Sequence, residues 1–386
     1  MEVDTTKIVT EGVTYNSTEG PPFEFSNYTH RVIVATLILI ISLIGTFGNT
    51  LVILAVLLSK KVRTATNALV VNLSVADLLT CLVIPWDAIA LLGKDGLPFG
   101  EWICSVASVV LNSSLGCSIF SLAFIALNRL LLITRPIATY RKIYTRKKIA
   151  AWLAVTWSVP LTLTVLPSII KVGDLTYDPK YHLCGASASH PRSKFFAILV
   201  GGIIFPGLLI TIIVCYVLIW RFLIRHAKTI LGSREEPSEP TTTTTSVGNS
   251  DIHLPTPAPA RASTVTAARP QLSRRQAEIT KNMFFVVCAF MLCFTPYAVV
   301  MFLGNNRARP FLYCVLLFNS CVNPVIYATK HRDFKAIFGS ILRRQWGNIP
   351  EPSEFLKTLL LCWVTPSAMS KVSWKHIPYV TPRTIK

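Results

Sequence analysis

Apolar residues fall along the chain in seven long runs separated by short polar and basic connections. Each run is about 18 residues or more, the length that reads as a membrane span. The pattern predicts helices over about Val32–Leu58, Asn67–Leu92, Ser105–Pro136, Ile149–Ile170, Phe195–Arg225, Gln276–Leu303 and Pro310–Tyr327. At about 1.5 Å per residue, such runs cross a hydrocarbon layer of about 30 Å. In lipid every backbone polar group must pair within the protein. The predicted fold is therefore an all-α membrane protein, a seven-transmembrane helix bundle.

The polar stretches set the organisation around this bundle. Residues 1–31 are Thr-rich, polar and acidic enough to resist folding alone, and they carry the glycosylation triplets Asn16-Ser17-Thr18 and Asn27-Tyr28-Thr29. Residues 226–275 are rich in Thr, Pro and Ser and are expected to be a disordered loop. Past the seventh run, Phe334, Ile337, Phe338 and Ile341 recur at helical spacing among Lys, Arg and His. This predicts a short basic amphipathic helix over Lys330–Arg344, lying on the membrane surface as an eighth helix. The helical body is thus 32–344, with 345–386 as a tail. That tail is polar apart from Leu359–Val364, an apolar stretch including Cys362 to which the sequence assigns no role.

Charge orients the bundle. The net charge is +19, and most of the 38 Lys and Arg fall on one side of the predicted membrane. They include Lys60, Lys61, Arg63, the run Arg141–Lys148, the long loop and the tail. The positive side is the cytoplasm, which places the N-terminus outside, at the plasma membrane. Residues 1–30 lack a basic start followed by an apolar run, so the first span is expected to be the targeting signal. No basic stretch outside the spans is interleaved with stacking aromatics, which argues against nucleic acid as a partner. Of ten cysteines, only Cys104 and Cys184 fall on the outer side, and a disulfide between them is expected there.

Two ionisable residues sit inside the spans. Asp77 lies near the middle of the second run and Arg129 near the inner end of the third. A charge at that depth is costly and usually functional. The plainer alternatives are a neutral, hydrogen-bonded Asp77 and an Arg129 that only snorkels to the interface. No nucleophile–base pair or nucleotide loop points to an enzyme. Seven spans also suit a transporter or channel, but the paired broken halves common in transporters are not evident.

Short motifs choose among these classes. In order they are Gly48-Asn49, Leu73 with Asp77, Cys104, Asn128-Arg129, Trp157, Cys293-Phe294-Thr295-Pro296, and Asn323-Pro324 with Tyr327, followed by Phe334. Together, over about residues 32–344, they resemble the rhodopsin-like family of G-protein-coupled receptors. Within it the texture is most similar to melatonin receptors and to the invertebrate orphan receptors Moody and Trapped in endoderm.

The resemblance implies roles for particular residues. Asp77, Ser118, Asn319, Ser320 and Asn323 would form a structural Na⁺ site, the alternative being a water-filled polar network. Asn128, Arg129, Tyr216, Tyr327, Asn323 and Pro324 would form the G-protein coupling switch. An extracellular ligand would lie among Asp87, Leu111, Asn112, Phe294 and Tyr297. Lys171, Arg192 or Lys194 would be available to an anionic head group. A heterotrimeric G protein, arrestin, a receptor kinase and the lipid bilayer are the implied partners. A ligandless receptor that signals basally is the alternative within the family.

Departures from the family pattern narrow this picture. Asn128 replaces the usual Asp, Phe294 the usual Trp, and Leu97 the usual Trp of the first outer loop. Pro206 and Tyr216 stand ten residues apart where the family's pair is eight, and Tyr216 is the better match. The usual acid at the start of the sixth helix is replaced by Gln276, with Glu278 two residues off. Leu317 stands where a visual pigment has its retinal Lys, and Leu111 where amine receptors have an Asp.

Overall fold

The structure, a computed structural model, describes residues 24–94, 97–187, 203–232, 263–303 and 307–363. Its helices, in chain order, are α1 Tyr28–Leu58, α2 Ala65–Leu92, α3 Glu101–Thr134, α4 Ile137–Ile143, α5 Arg146–Ile169, α6 Phe205–Gly232, α7 Ser263–Leu303, α8 Arg309–Lys330, α9 Arg332–Leu342 and α10 Glu354–Trp363. Seven of them, α1, α2, α3, α5, α6, α7 and α8, are long and apolar enough to cross a membrane. A two-stranded antiparallel hairpin, β1 Asp174–Asp178 and β2 Leu183–Ser187, follows α5.

Local chemistry explains the helix starts. Asn27 Oδ1 accepts from the His30 N–H at 3.1 Å, Thr64 Oγ1 from Asn67 at 3.2 Å and Thr145 Oγ1 from Lys148 at 3.4 Å. Each cap satisfies one of the free N–H groups at a helix start. These caps move α1, α2 and α5 a few residues upstream of the expected bounds. Residues 226–232 and 263–275 were expected to be loop, but they extend α6 and α7 instead. The amphipathic helix forms as α9, with Phe334, Ile337, Phe338 and Ile341 all buried.

Two apolar clusters fill the bundle. One, toward the Arg129 end, gathers Val52, Leu73, Leu122, Ile125, Phe290, Tyr327 and Phe334. The other, toward the disulfide end, gathers Ile38, Ile84, Leu111, Tyr313 and Leu317. Along α2, α3 and α8 the change from one cluster to the other falls at Asp77, Ser118 and Asn319–Asn323. Phe294 packs against both clusters.

Candidate functional site

The layer between the clusters is polar and buried. Asp77 is 1% exposed, and its Oδ1 accepts from Ser118 Oγ at 3.2 Å and Ser320 Oγ at 3.0 Å. Its Oδ2 accepts from Asn323 Nδ2 at 2.7 Å. One carboxylate thus ties α2 to α3 and α8. Asn319 is buried beside this set, and the side-chain oxygens of Asn319 and Asn323 have no hydrogen-bond partner among the described residues. Buried oxygens left without donors are the groups a small hard cation takes as ligands. The donor set is all oxygen, which suits Na⁺ and not a transition metal.

Neighbouring contacts lock the surrounding helices. Pro324 has no N–H, so the Ser320 carbonyl one turn back loses its helical donor. Asn49 Nδ2 replaces it at 2.8 Å while also reaching Gly45 O at 2.9 Å. Gly48 makes that approach feasible, because a Cβ there would meet Pro324 Cβ at 2.8 Å. A second knot joins α2, α3 and α5. Asn72 Nδ2 donates to Ser121 Oγ at 2.8 Å and Thr156 Oγ1 at 3.0 Å, and Asn72 Oδ1 accepts from Trp157 Nε1 at 2.9 Å. Gly116 lets α5 close in, since a Cβ there would lie 2.5 Å from Pro160 Cβ.

At the Arg129 end, Arg129 is buried, with the phenols of Tyr216 and Tyr140 as electrostatic neighbours. Asn128 turns away to other partners. Its Oδ1 accepts from Thr66 Oγ1 at 2.7 Å and its Nδ2 donates to Tyr140 Oη at 3.0 Å, linking α3 to α2 and α4. The Tyr216 and Tyr327 hydroxyls are buried without hydrogen-bond partners among the described residues. Tyr216 meets Phe284 edge-on at 5.6 Å, and Tyr327 stacks on Phe334 of α9 at 5.7 Å. A wide π turn at Ile203–Ile204 sits beside Pro206, whereas Tyr216 lies in regular helix. Gln276 and Glu278 fall on α7, but their side chains lie outside the described residues.

At the other end, Cys104 and Cys184 form a disulfide with Cα atoms 5.0 Å apart. Asp87 is buried beneath it, its Oδ1 accepting from the Cys184 N–H at 3.0 Å and its Oδ2 from Tyr313 Oη at 2.7 Å. The carboxylate therefore ties the hairpin to α8. Leu111 is buried in the apolar cluster, and Asn112 is exposed, donating to Ser108 O of its own helix at 2.8 Å. Phe294 stacks on Phe205 at 4.1 Å and on Phe290 at 5.2 Å, and half-buried Tyr297 lies 6.1 Å from Tyr313. Arg309 sits over the Tyr181 ring at 4.5 Å. Phe25 packs under the hairpin, its N–H donating to Lys180 O at 2.9 Å. His182 Nδ1 lies 2.7 Å from Tyr177 Oη and Nε2 3.3 Å from Glu24 Oε1. Burial, with Arg31 nearby, lowers the imidazole from its usual range against the opposing pull of Glu24. Lys171 is exposed at the turn before β1 with φ 54°, while Asn16, Arg192 and Lys194 lie outside the described residues.

The model of the 7 transmembrane receptor (rhodopsin family) matches residues 48–327. The chain belongs to the rhodopsin family of seven-transmembrane receptors. This receptor is 25% identical over 363 residues to the G-protein coupled receptor moody of Drosophila melanogaster, covering 84% of this chain and 54% of that one. The match therefore spans about half of moody's length. To the melatonin receptor type 1B-A of Danio rerio it is 34% identical over 212 residues, covering 54% of this chain and 72% of that one. Squid rhodopsin shares the fold with a TM-score of 0.65 at 20% identity, covering 91% of this chain and 93% of the other. The receptor is accordingly a multi-pass membrane protein.

Several residues that tie the receptor's elements together stand outside the family motifs. Asn72, Thr66, Tyr140 and Tyr313 each complete a buried or partly buried side-chain contact. A polar side chain inside an apolar run was the available signal for Asn72, and the same signal marked Asp77. Tyr140 gave none, because it lies in a connection.

Proposed function

We propose that the receptor takes an extracellular ligand at its disulfide end and activates a heterotrimeric G protein at its Arg129 end. The N-terminus is outside, at the plasma membrane, because a disulfide persists in an oxidising compartment and the basic loops lie at the opposite end. The observation that carries this reading is the pair of buried hydroxyls at the Arg129 end, Tyr216 and Tyr327, which have no hydrogen-bond partner among the described residues. Such groups are costly where they are, so a second arrangement of the bundle that gives them partners is within reach. Opening of α7 away from α3 would supply it and expose a groove for a helix of the G protein. Arrestin and a receptor kinase would read the same open face.

The ligand is neither retinal bound through a Lys nor a typical monoamine, as Leu317 and Leu111 stand at those places. Phe294, Tyr297 and Leu111 would line its pocket, with Asp87 holding the hairpin above and Asn112 at the flank. Na⁺ held by Asp77, Ser118, Asn319, Ser320 and Asn323 would favour the closed bundle by supplying a cation to oxygens otherwise left bare. Asn16 and Asn27 would carry glycans.

The test is ligand-free nucleotide exchange on each class of heterotrimer by the purified receptor in nanodiscs. Exchange above the empty-disc rate, lowered by Tyr216→Phe and by Tyr327→Phe, is expected. Exchange equal in the wild type and both variants would overturn the role of the hydroxyls.

A further inference from the structure

The chain does not leave the bundle after α9. It reverses through Arg344 and Glu351, both in left-handed backbone with φ 55° and 46°, around a short turn at Trp346–Asn348. The returning strand then joins the end of α1. Lys60 N–H donates to Glu351 O at 2.8 Å, Ser353 N–H to Leu58 O at 2.8 Å, and Ser353 Oγ to Leu57 O at 2.7 Å. Ser59 and Pro352 form an antiparallel bridge, and Ser59 Oγ donates to Pro350 O. Leu57 and Leu58 are among the last carbonyls of α1, which have no donors within the helix. The tail supplies them. Ile349 and Leu356, at 3% and 0% exposure, then bury against the same cluster as α9.

This strap sets where α10 begins. Ser353 caps it, its Oγ accepting from the Leu356 N–H at 3.2 Å. At about 100° per residue, Leu356 and Leu360 share one face and Phe355 and Leu359 lie beside them. Glu354, Lys357 and Thr358 occupy the opposite arc. Among the described residues only part of the apolar arc is covered, leaving Phe355 54% and Leu359 38% exposed.

We infer that α10 is a second membrane-surface helix, seating Phe355 and Leu359 in the leaflet at the Arg129 end. Its start is bonded to the last turn of a membrane span, so its depth is that of the membrane boundary. Its uncovered face continues the lipid-facing surface of α1, where Leu57 is 47% exposed. Lys60 and Lys357 pair with Glu354 and Lys61 pairs with Asp333, while Arg343 and Arg344, in the turn that leads to the strap, stand against Glu351. That excess of positive charge suits anionic headgroups. This assignment rests on the membrane-spanning fold and not on the signalling role.

A bimane label at Leu359→Cys in a Cys362→Ser background reports on it. Among the described residues the free cysteines are buried except half-buried Cys288, and Cys362→Ser alone measures their background labelling. The receptor is placed singly in phosphatidylcholine/phosphatidylserine nanodiscs carrying a lipid with a nitroxide near the headgroup. Several-fold stronger quenching at position 359 than from the same label at Thr358→Cys is expected. Removing phosphatidylserine should weaken it. Equal quenching at both positions overturns the inference, as does quenching at 359 that needs two receptors per disc, which would make a second copy the cover. Amide exchange of residues 354–360 in the unlabelled protein is the independent arm. Faster exchange in Phe355→Ser/Leu359→Ser in discs, but not in the detergent-solubilised pair, supports the leaflet, and equal rates overturn it.

Discussion

Helices α1, α2, α3 and α8 are tied together by buried side-chain hydrogen bonds through Asn49, Asn72 and Asp77, whereas α6 and α7 meet through stacked rings at Phe205, Phe290 and Phe294. Burial follows the same division for α2, α3 and α8, while α1, at 33%, joins the frame through its hydrogen bonds. In α2, α3 and α8, 56% of the apolar stretch is buried, against 22% in α6 and 28% in α7. A hydrogen bond in a dry interior is directional, and breaking it strands both partners. Stacked rings tolerate sliding. The first half is therefore a frame and the second is the part free to move, with Phe294 and the unpartnered tyrosines at the border.

Glycines test this contrast most severely. A Cβ at Gly45 would lie 2.3 Å from Cys81 Sγ, inside the frame, while one at Gly207 on α6 meets nothing within 4 Å. Gly45→Ala is expected to destabilise by about 1–3 kcal/mol, the usual scale of overpacking. Gly207→Ala is expected to be neutral or stabilising by about 0.5–1 kcal/mol. Thermal unfolding in matched detergent reads both. Similar losses at the two positions would erase the division between frame and mobile half.

The polar layer gives the next effect. If Na⁺ binds the Asp77 set, replacing choline chloride by NaCl should raise the wild-type unfolding temperature. At a concentration about ten times the dissociation constant, the stabilisation is about 1.4 kcal/mol. Asp77→Asn should abolish the difference between the two salts. An equal rise in both proteins would mean that the frame is a hydrated network without an ion.

Asn128 sharpens the boundary between the halves with a smaller effect. It bridges Thr66 and Tyr140 as a neutral group. An Asp there could accept from both hydroxyls, and charge-assisted bonds are about twice as strong as neutral ones. Asn128→Asp should hold the closed bundle more firmly by about 1 kcal/mol, lowering ligand-free nucleotide exchange about fivefold at matched expression. Unchanged or faster exchange would show that the restraint lies elsewhere.

The spans, the eighth helix and the cysteine pair were legible because each depends on composition over a local window. Hydropathy located the seven spans, and the side of the membrane singled out Cys104 and Cys184. The edges were less legible. Caps at Asn27, Thr64 and Thr145 extend three helices, and the Thr- and Pro-rich loop hides helical ends at 226–232 and 263–275. The apolar stretch at Leu359–Val364 was visible, but its purpose depends on a strap to α1 nearly 300 residues earlier in the chain.

By itself, then, the sequence determined how many helices cross, which run carries each ionisable group and which motifs stand in what order. Only the tertiary structure decided the partners. Asn49 serves a carbonyl that Pro324 frees on another helix, Asp87 spends both oxygens on Cys184 and Tyr313, and Asn128 faces Thr66 and Tyr140. The physical reason is rotational phase. A helix turns about 100° per residue, so a small change in its rotation hands each polar group to a different neighbour while leaving its hydropathy unchanged.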